Sequence, residues 1–233
     1  MVKISRLTIL CGIFLSFCMV TSCASHKAAQ LPQLNLDVNA QQDKVEQRGF
    51  VGMVKPIHLE SELKTYFDYD LITDDILPVQ ITILNKAYGK PCMFSPTGIN
   101  LVDTSGNRMP MLSMEQLMDK IQKSYWRSVG WGAAFGLLGA IPAAINVAKT
   151  NEKIRADYET RSLKNGPIIP GAFMEGVAFF SIPPQTNDLN GWKLTVLLSD
   201  PVDSTNIGIE KTIAGKIESR SKQEQTTEGR KTY

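Results

Sequence analysis

Two histidines in 233 residues, and a single cysteine beyond position 23, leave little for catalysis or metal binding. General acid–base and nucleophilic chemistry need His, Cys or Ser constellations or paired carboxylates. No G-x-S-x-G, H-E-x-x-H or phosphate-binding glycine loop occurs, and the carboxylates are scattered. Cys11, Cys18 and Cys23 lie in the N-terminal leader or at its end, so the folded part keeps one thiol, Cys92. That excludes a disulfide framework within one chain and a Cys-rich zinc site. The net charge is only +2, and the Lys and Arg residues are dispersed, which argues against nucleic acid as a partner. The expectation is a non-enzymatic chain with no metal and no cofactor.

What is present begins with the leader. Lys3 and Arg6 form a short positive region, and Leu7 to Val20 is almost wholly apolar. At about 14 residues that run is short for a bilayer span, which takes roughly 20, and it fits a secretory signal. It ends in Val20-Thr21-Ser22-Cys23. This motif resembles the lipobox of bacterial lipoproteins, with Val20 where Leu is more usual. The resemblance covers residues 1–23. It implies a signal peptide over 1–22, removed on export, and lipid chains on Cys23 that tie the protein to a membrane. Each buried methylene adds about 0.8 kcal/mol of membrane affinity. Ala24 follows the cysteine, which by analogy with enteric lipoproteins implies the outer membrane, facing the periplasm.

Residues 23–47 are rich in Gln, Asn and Ala and contain no aromatic residue. They read as a flexible, lipid-anchored tether. As a coil it would span roughly 25–30 Å on average. His26 lies there and reads as solvated.

Residues 48–112 read as β-rich. Phe50 to Glu60 suggests a first strand, with Pro56 favouring an edge. In Leu77 to Leu84, Val79, Ile81 and Ile83 alternate with Gln80 and Thr82, giving one buried and one wetter face. Pro91 to Phe94 suggests an edge strand, and Asp103-Thr104-Ser105-Gly106-Asn107 a strong turn. Residues 167–215 add Ala172 to Ile182, Trp192 to Leu198 and a weaker strand over Asn206 to Ile213. These are too few strands to stand alone, so they complete the first block around one core. The pattern resembles the immunoglobulin-like modules of exported bacterial proteins. The expected fold class is α+β: an immunoglobulin-like β-sandwich of about seven strands with an inserted α-helical hairpin. Residues 216–233 are polar and charged and are expected to be disordered.

The acidic group Asp70, Asp74 and Asp75 lacks the spacing of a calcium loop and reads as a solvated turn. His58 reads as structural, and Cys92 as a small buried apolar residue rather than an interchain disulfide partner.

The insertion covers residues 113–166. Ser113 and Gln116 match a capping box, and Met114, Leu117, Met118, Ile121 and Tyr125 recur at helical spacing. The stretch 128–148, SVGWGAAFGLLGAIPAAINVA, then has no charged residue. One reading is a single helix long enough to span a bilayer, with a small-residue stripe through Gly132, Gly136, Ala140 and Ala144. The other is a turn near Gly136 to Gly139, with Pro142 opening a second helix. The hairpin is preferred, because Pro142 inside one helix would cost about 3 kcal/mol in water. Trp131, Gly132, Phe135, Gly136, Leu138, Gly139 and Ala140 are then the expected contacts to a membrane or protein partner. Homo-oligomer formation through the small residues stays open. The competing reading buries the stretch in the core and leaves the sandwich surface to bind a partner or ligand. An envelope enzyme is the third class and the least supported.

Overall fold

The computed structural model describes residues 27–34, 44–87, 89–129, 140–202 and 204–217, without the side chains of 122–150. Within them the chain is α+β and mostly antiparallel. One sheet holds β1 (Lys44–Gln47), β2 (Phe50–Pro56), β3 (Ile76–Asn85) and β7 (Phe173–Ser181), in the order β1-β2-β3-β7. The other holds β4 (Cys92–Val102), β5 (Arg108–Pro110), β8 (Trp192–Ser199) and β9 (Asn206–Ile213), in the order β5-β4-β8-β9. A short strand, β6 (Gly166–Ile168), also pairs with β4. Helix α1 covers Glu60–Phe67, α2 Met114–Val129 and α3 Ala140–Arg161.

Alternation builds both layers. On β8, Trp192, Leu194, Val196 and Leu198 are buried while Lys193 and Leu197 are exposed. On β3, Val79, Ile81 and Ile83 point at the second sheet. The approach there is close: a Cβ at Gly52, the register partner of Ile83, would meet Ile209 Cγ2 of β9 at 2.8 Å. Glycine at that position lets the two sheets pack this tightly. Strands from both ends of the chain share each sheet, since β3 pairs with β7 and β4 with β8. One buried cluster runs through both layers, from Phe50 to Ile217.

Several local expectations are corrected. The first strand ends at Pro56, and Glu60 opens a helix. The missed signal is Leu63 and Phe67, four apart and fully buried, beside the Glu60–Lys64 ion pair of 2.6 Å. Strand β2 is not an edge, since β1 flanks it over Phe50 to Met53 and β3 lies on its other side, where Pro56 is in register with Val79. Residues 91–94 are no separate edge strand: they open the central strand β4, whose register shifts between Phe94 and Ile99. That irregularity accommodates Pro96, which has no N–H to give a ladder. Nine strands stand among the described residues, where about seven were expected.

The expected capping box is present: Gln116 N–H donates to Ser113 Oγ at 3.2 Å, and Ser113 N–H to Gln116 Oε1 at 2.9 Å. The Asp103 turn is also present, its Oδ1 accepting from Ser105 and Asn107 N–H and its Oδ2 from the Asn107 amide at 2.7 Å. The Asn107 amide, with those backbone donors, holds the Asp103 carboxyl below its ordinary value.

Candidate interaction surface on the helical face

The outer face of the first sheet carries Gln80 and Thr82 on β3, and Glu175, Val177 and Phe179 on β7. By alternation alone Gln80 and Thr82 should be wet, yet they are 2 % and 1 % exposed. Residues 27–34, expected to belong to the flexible tether, are laid down on the domain as a strap. Lys27 N–H donates to Asp68 Oδ2 at 2.9 Å, and Ala29 N–H to Thr65 O at 2.8 Å. Arg161 Nη1 donates to Ala29 O at 2.8 Å and Gln80 Nε2 to Pro32 O at 2.8 Å. Leu34 N–H donates to Glu175 Oε1 at 3.3 Å, which also accepts from Gln80 Nε2 at 3.0 Å. Leu31 packs against the core. The charged partners Asp68, Arg161 and Glu175 make hydrogen bonds stronger than neutral ones. Residues 44–47, at the other end of the expected tether, form strand β1.

Among the described residues, Gln80 Oε1 and Thr82 Oγ1 are buried with no hydrogen-bond partner. Among the described residues, then, the polar stripe beneath the strap retains unused acceptors, an arrangement proteins tolerate sparingly.

Beside the strap stand the roots of α2 and α3. Leu117, Met118 and Ile121 of α2 are buried. From α3, Tyr158 enters an aromatic cluster, 5.7 Å edge-on to Phe67 and 5.7 Å stacked on Phe179. Its hydroxyl donates to Phe67 O at 3.4 Å, and burial pushes its pKa up. Asp157 and Arg161 pair at 2.8 Å, which fixes Arg161 where it reaches the strap. Glu115 near the start of α2 lies 3.6 Å from Arg155 near the end of α3. One straight helix would put residues forty apart about 60 Å from each other, so the chain reverses direction between them. The choice between one spanning helix and a hairpin falls on 128–148, of which residues 130–139 lie outside the described residues. No helix among the described residues is long and apolar enough to cross a membrane.

Cys23, Trp131, Gly132, Phe135, Gly136, Leu138 and Gly139 lie outside the described residues. Ala140 is the first residue of α3. The expected acidic turn is occupied by local bonds: Asp70 Oδ1 accepts Ile72 N–H at 3.1 Å and Asp74 Oδ2 accepts the Tyr69 hydroxyl at 2.8 Å. No group of three potential metal ligands occurs among the described residues. His58 has Nδ1 3.3 Å from Pro56 O and lies under Gly215, where a Cβ would sit 2.6 Å from the ring. It lines a groove of about 300 Å³ with Leu34, Met53, Lys55 and Glu62, the last two joined by a 2.7 Å ion pair. Cys92 is 1 % exposed, and burial raises its thiol to about 11.

No protein-family model matches the chain, and no curated protein matches it. Two solved structures are similar in part. The yjhA protein from Bacillus subtilis is 14 % identical with a TM-score of 0.39, covering 72 % of this chain and 96 % of its own. The ycdA protein from Bacillus subtilis subsp. subtilis, a lipoprotein candidate, is 12 % identical with a TM-score of 0.37, covering 72 % of this chain and 38 % of its own. At those scores neither likeness carries an inference about fold family or activity.

Proposed function

We propose that the chain is a lipid-anchored cell-envelope protein with a non-enzymatic binding or assembly role. Lipid on Cys23 ties it to the membrane, on the periplasmic side of an outer membrane. The apolar segment between α2 and α3 contacts a membrane or a partner protein. We read the two sheets as an immunoglobulin-like scaffold, which implies no activity by itself.

The anchor rests on the leader and its Val20-Thr21-Ser22-Cys23 ending. The observation that supports the working surface is the 3.6 Å approach of Glu115 to Arg155, which joins the helix roots. From Ile121, packed in the core, α2 continues eight residues to Val129. Eight residues of helix cover about 12 Å. In the sequence, an uncharged segment rich in Gly and Ala, with Trp131, Phe135 and Leu138, follows Val129. Our reading gives that segment to a partner or a membrane, the usual occupants of an apolar patch of such extent.

The test is flotation. Protein beginning at Ser25, without leader or lipid site, is mixed with liposomes and centrifuged on a density gradient. Flotation that is lost when Trp131, Phe135 and Leu138 become Ser supports a membrane-contacting segment. Protein that stays at the bottom, monodisperse, refutes membrane contact and moves the search to the sandwich surface.

A further inference from the structure

The strap changes what a lipid on Cys23 does to the domain. A free coil of 24 residues, Ala24 to Gln47, would let the domain swing at a mean span of roughly 25–30 Å, with no preferred orientation. The strap removes that freedom almost at the anchor. Lys27 is already fixed to Asp68, and Ala29 is held from both sides, by Thr65 and by Arg161. Lys27 lies only four positions beyond Cys23. Fully extended, four residues reach at most about 14 Å. The acyl attachment point must therefore lie within that distance of the Asp68 end of the strap.

Resting on the reading that Cys23 is acylated, we infer that the strap makes the anchor an orienting mount. The helical face of the first sheet, at Lys64, Asp68 and the end of α3, is turned to the bilayer. The polar face of the second sheet, at Lys193 and Glu210, is turned away. The fold supplies the geometry. Phe179, Gln80 and Glu175 lie on the outer side of the first sheet, under α1 and the strap. Lys193 and Glu210, 2.9 Å apart and about half exposed, lie beyond the second sheet, because Trp192 and Leu194 beside Lys193 point inward. Any partner recognised by the second sheet is thereby presented towards the periplasmic space, and the bilayer is the occupant of the helical side.

The experiment uses the full lipidated protein reconstituted into phosphatidylethanolamine–phosphatidylglycerol vesicles carrying an acceptor-labelled lipid. A donor dye is placed on Lys64→Cys or on Lys193→Cys. After removal of the leader the other thiols are Cys23, acylated, and Cys92, buried. Two stacked layers and a helix separate the sites by about 20 Å, so energy transfer from position 64 is expected to exceed that from 193 roughly twofold. The difference should vanish when Asp68→Gly and Arg161→Gln together release Lys27 and Ala29, the strap residues nearest the anchor. Asp68→Gly alone, which suits the left-handed backbone at that position, gives a second release variant should the double variant misfold. Equal transfer from both sites, with acyl mass found on the Cys23 peptide, overturns the inference and leaves the lipoprotein reading standing. No acyl mass on that peptide overturns both.

Discussion

Gln80 on β3 and Pro32 in the strap, 48 positions apart in sequence, are joined by a 2.8 Å bond from the Gln80 amide to the Pro32 carbonyl. The same amide bonds Glu175 of β7, so one buried side chain ties the chain's N-terminal segment to two strands.

Replacing Gln80 with Ala should free the strap more than it harms the fold. Gln80 Oε1 is already buried without a partner among the described residues, so its removal offsets part of the lost bonding. The expected global cost is about 1 kcal/mol in urea unfolding. Limited trypsin cleavage after Lys27 should accelerate clearly. Unchanged cleavage with an unchanged midpoint would mean that the strap is held by its other contacts.

Ser113→Ala removes the acceptor for Gln116 N–H at the start of α2. Loss of such a cap costs about 1 kcal/mol. Thermal unfolding should shift down accordingly, and Ser113→Asp should restore most of the loss. A cost below the error of the measurement would indicate that α2 is held by its core contacts alone.

Phe179→Ala opens a hole between Phe67, 5.9 Å away, and Tyr158, 5.7 Å away. A buried aromatic truncated this way costs about 3–5 kcal/mol. Because Tyr158 belongs to α3 and Phe67 to α1, hydrogen exchange should rise in both helices together. Faster exchange confined to β7 would contradict a shared cluster.

Cys92 should resist alkylation by iodoacetamide at pH 8 until the protein is unfolded, since burial raises its thiol from 9.0 to about 11. The sign for stability follows from the direction of the shift. The folded state keeps the proton that the unfolded chain has lost, so this contribution is whole below pH 9. It is lost as pH rises from about 9 to about 11. Over that window the wild type should lose on the order of 2 kcal/mol more than Cys92→Ala in urea titrations. Parallel pH profiles for the two proteins would refute it.

The core strands were readable because each carries its own two-residue period. Leu77 to Leu84 and Trp192 to Leu198 show that period without reference to anything else, and the structure buries the expected residues on both. The Ser113 cap and the Asp103 turn were readable for the same reason: donors and acceptors lie within four residues of each other. Helix α1 was masked by the β-branched, alternating sequence before it, which runs on towards Glu60 without a break signal stronger than Pro56.

The strap was not readable at all. Lys27 to Leu34 has no aromatic residue and no periodicity of a helix or strand, so it reads as part of a tether. Its partners are Asp68, Thr65, Arg161, Gln80 and Glu175, from 36 to 141 positions away along the chain.

The sequence by itself determined the alternation of the main strands and the helix start at Ser113, because each is written in residues close together along the chain. Only the tertiary structure decided that the chain reverses between α2 and α3, through Glu115 and Arg155. It alone also decided that the polar edge of β3 lies beneath a strap. Both depend on which distant segments meet, and a hydrogen bond or an ion pair leaves no local pattern at either of its ends.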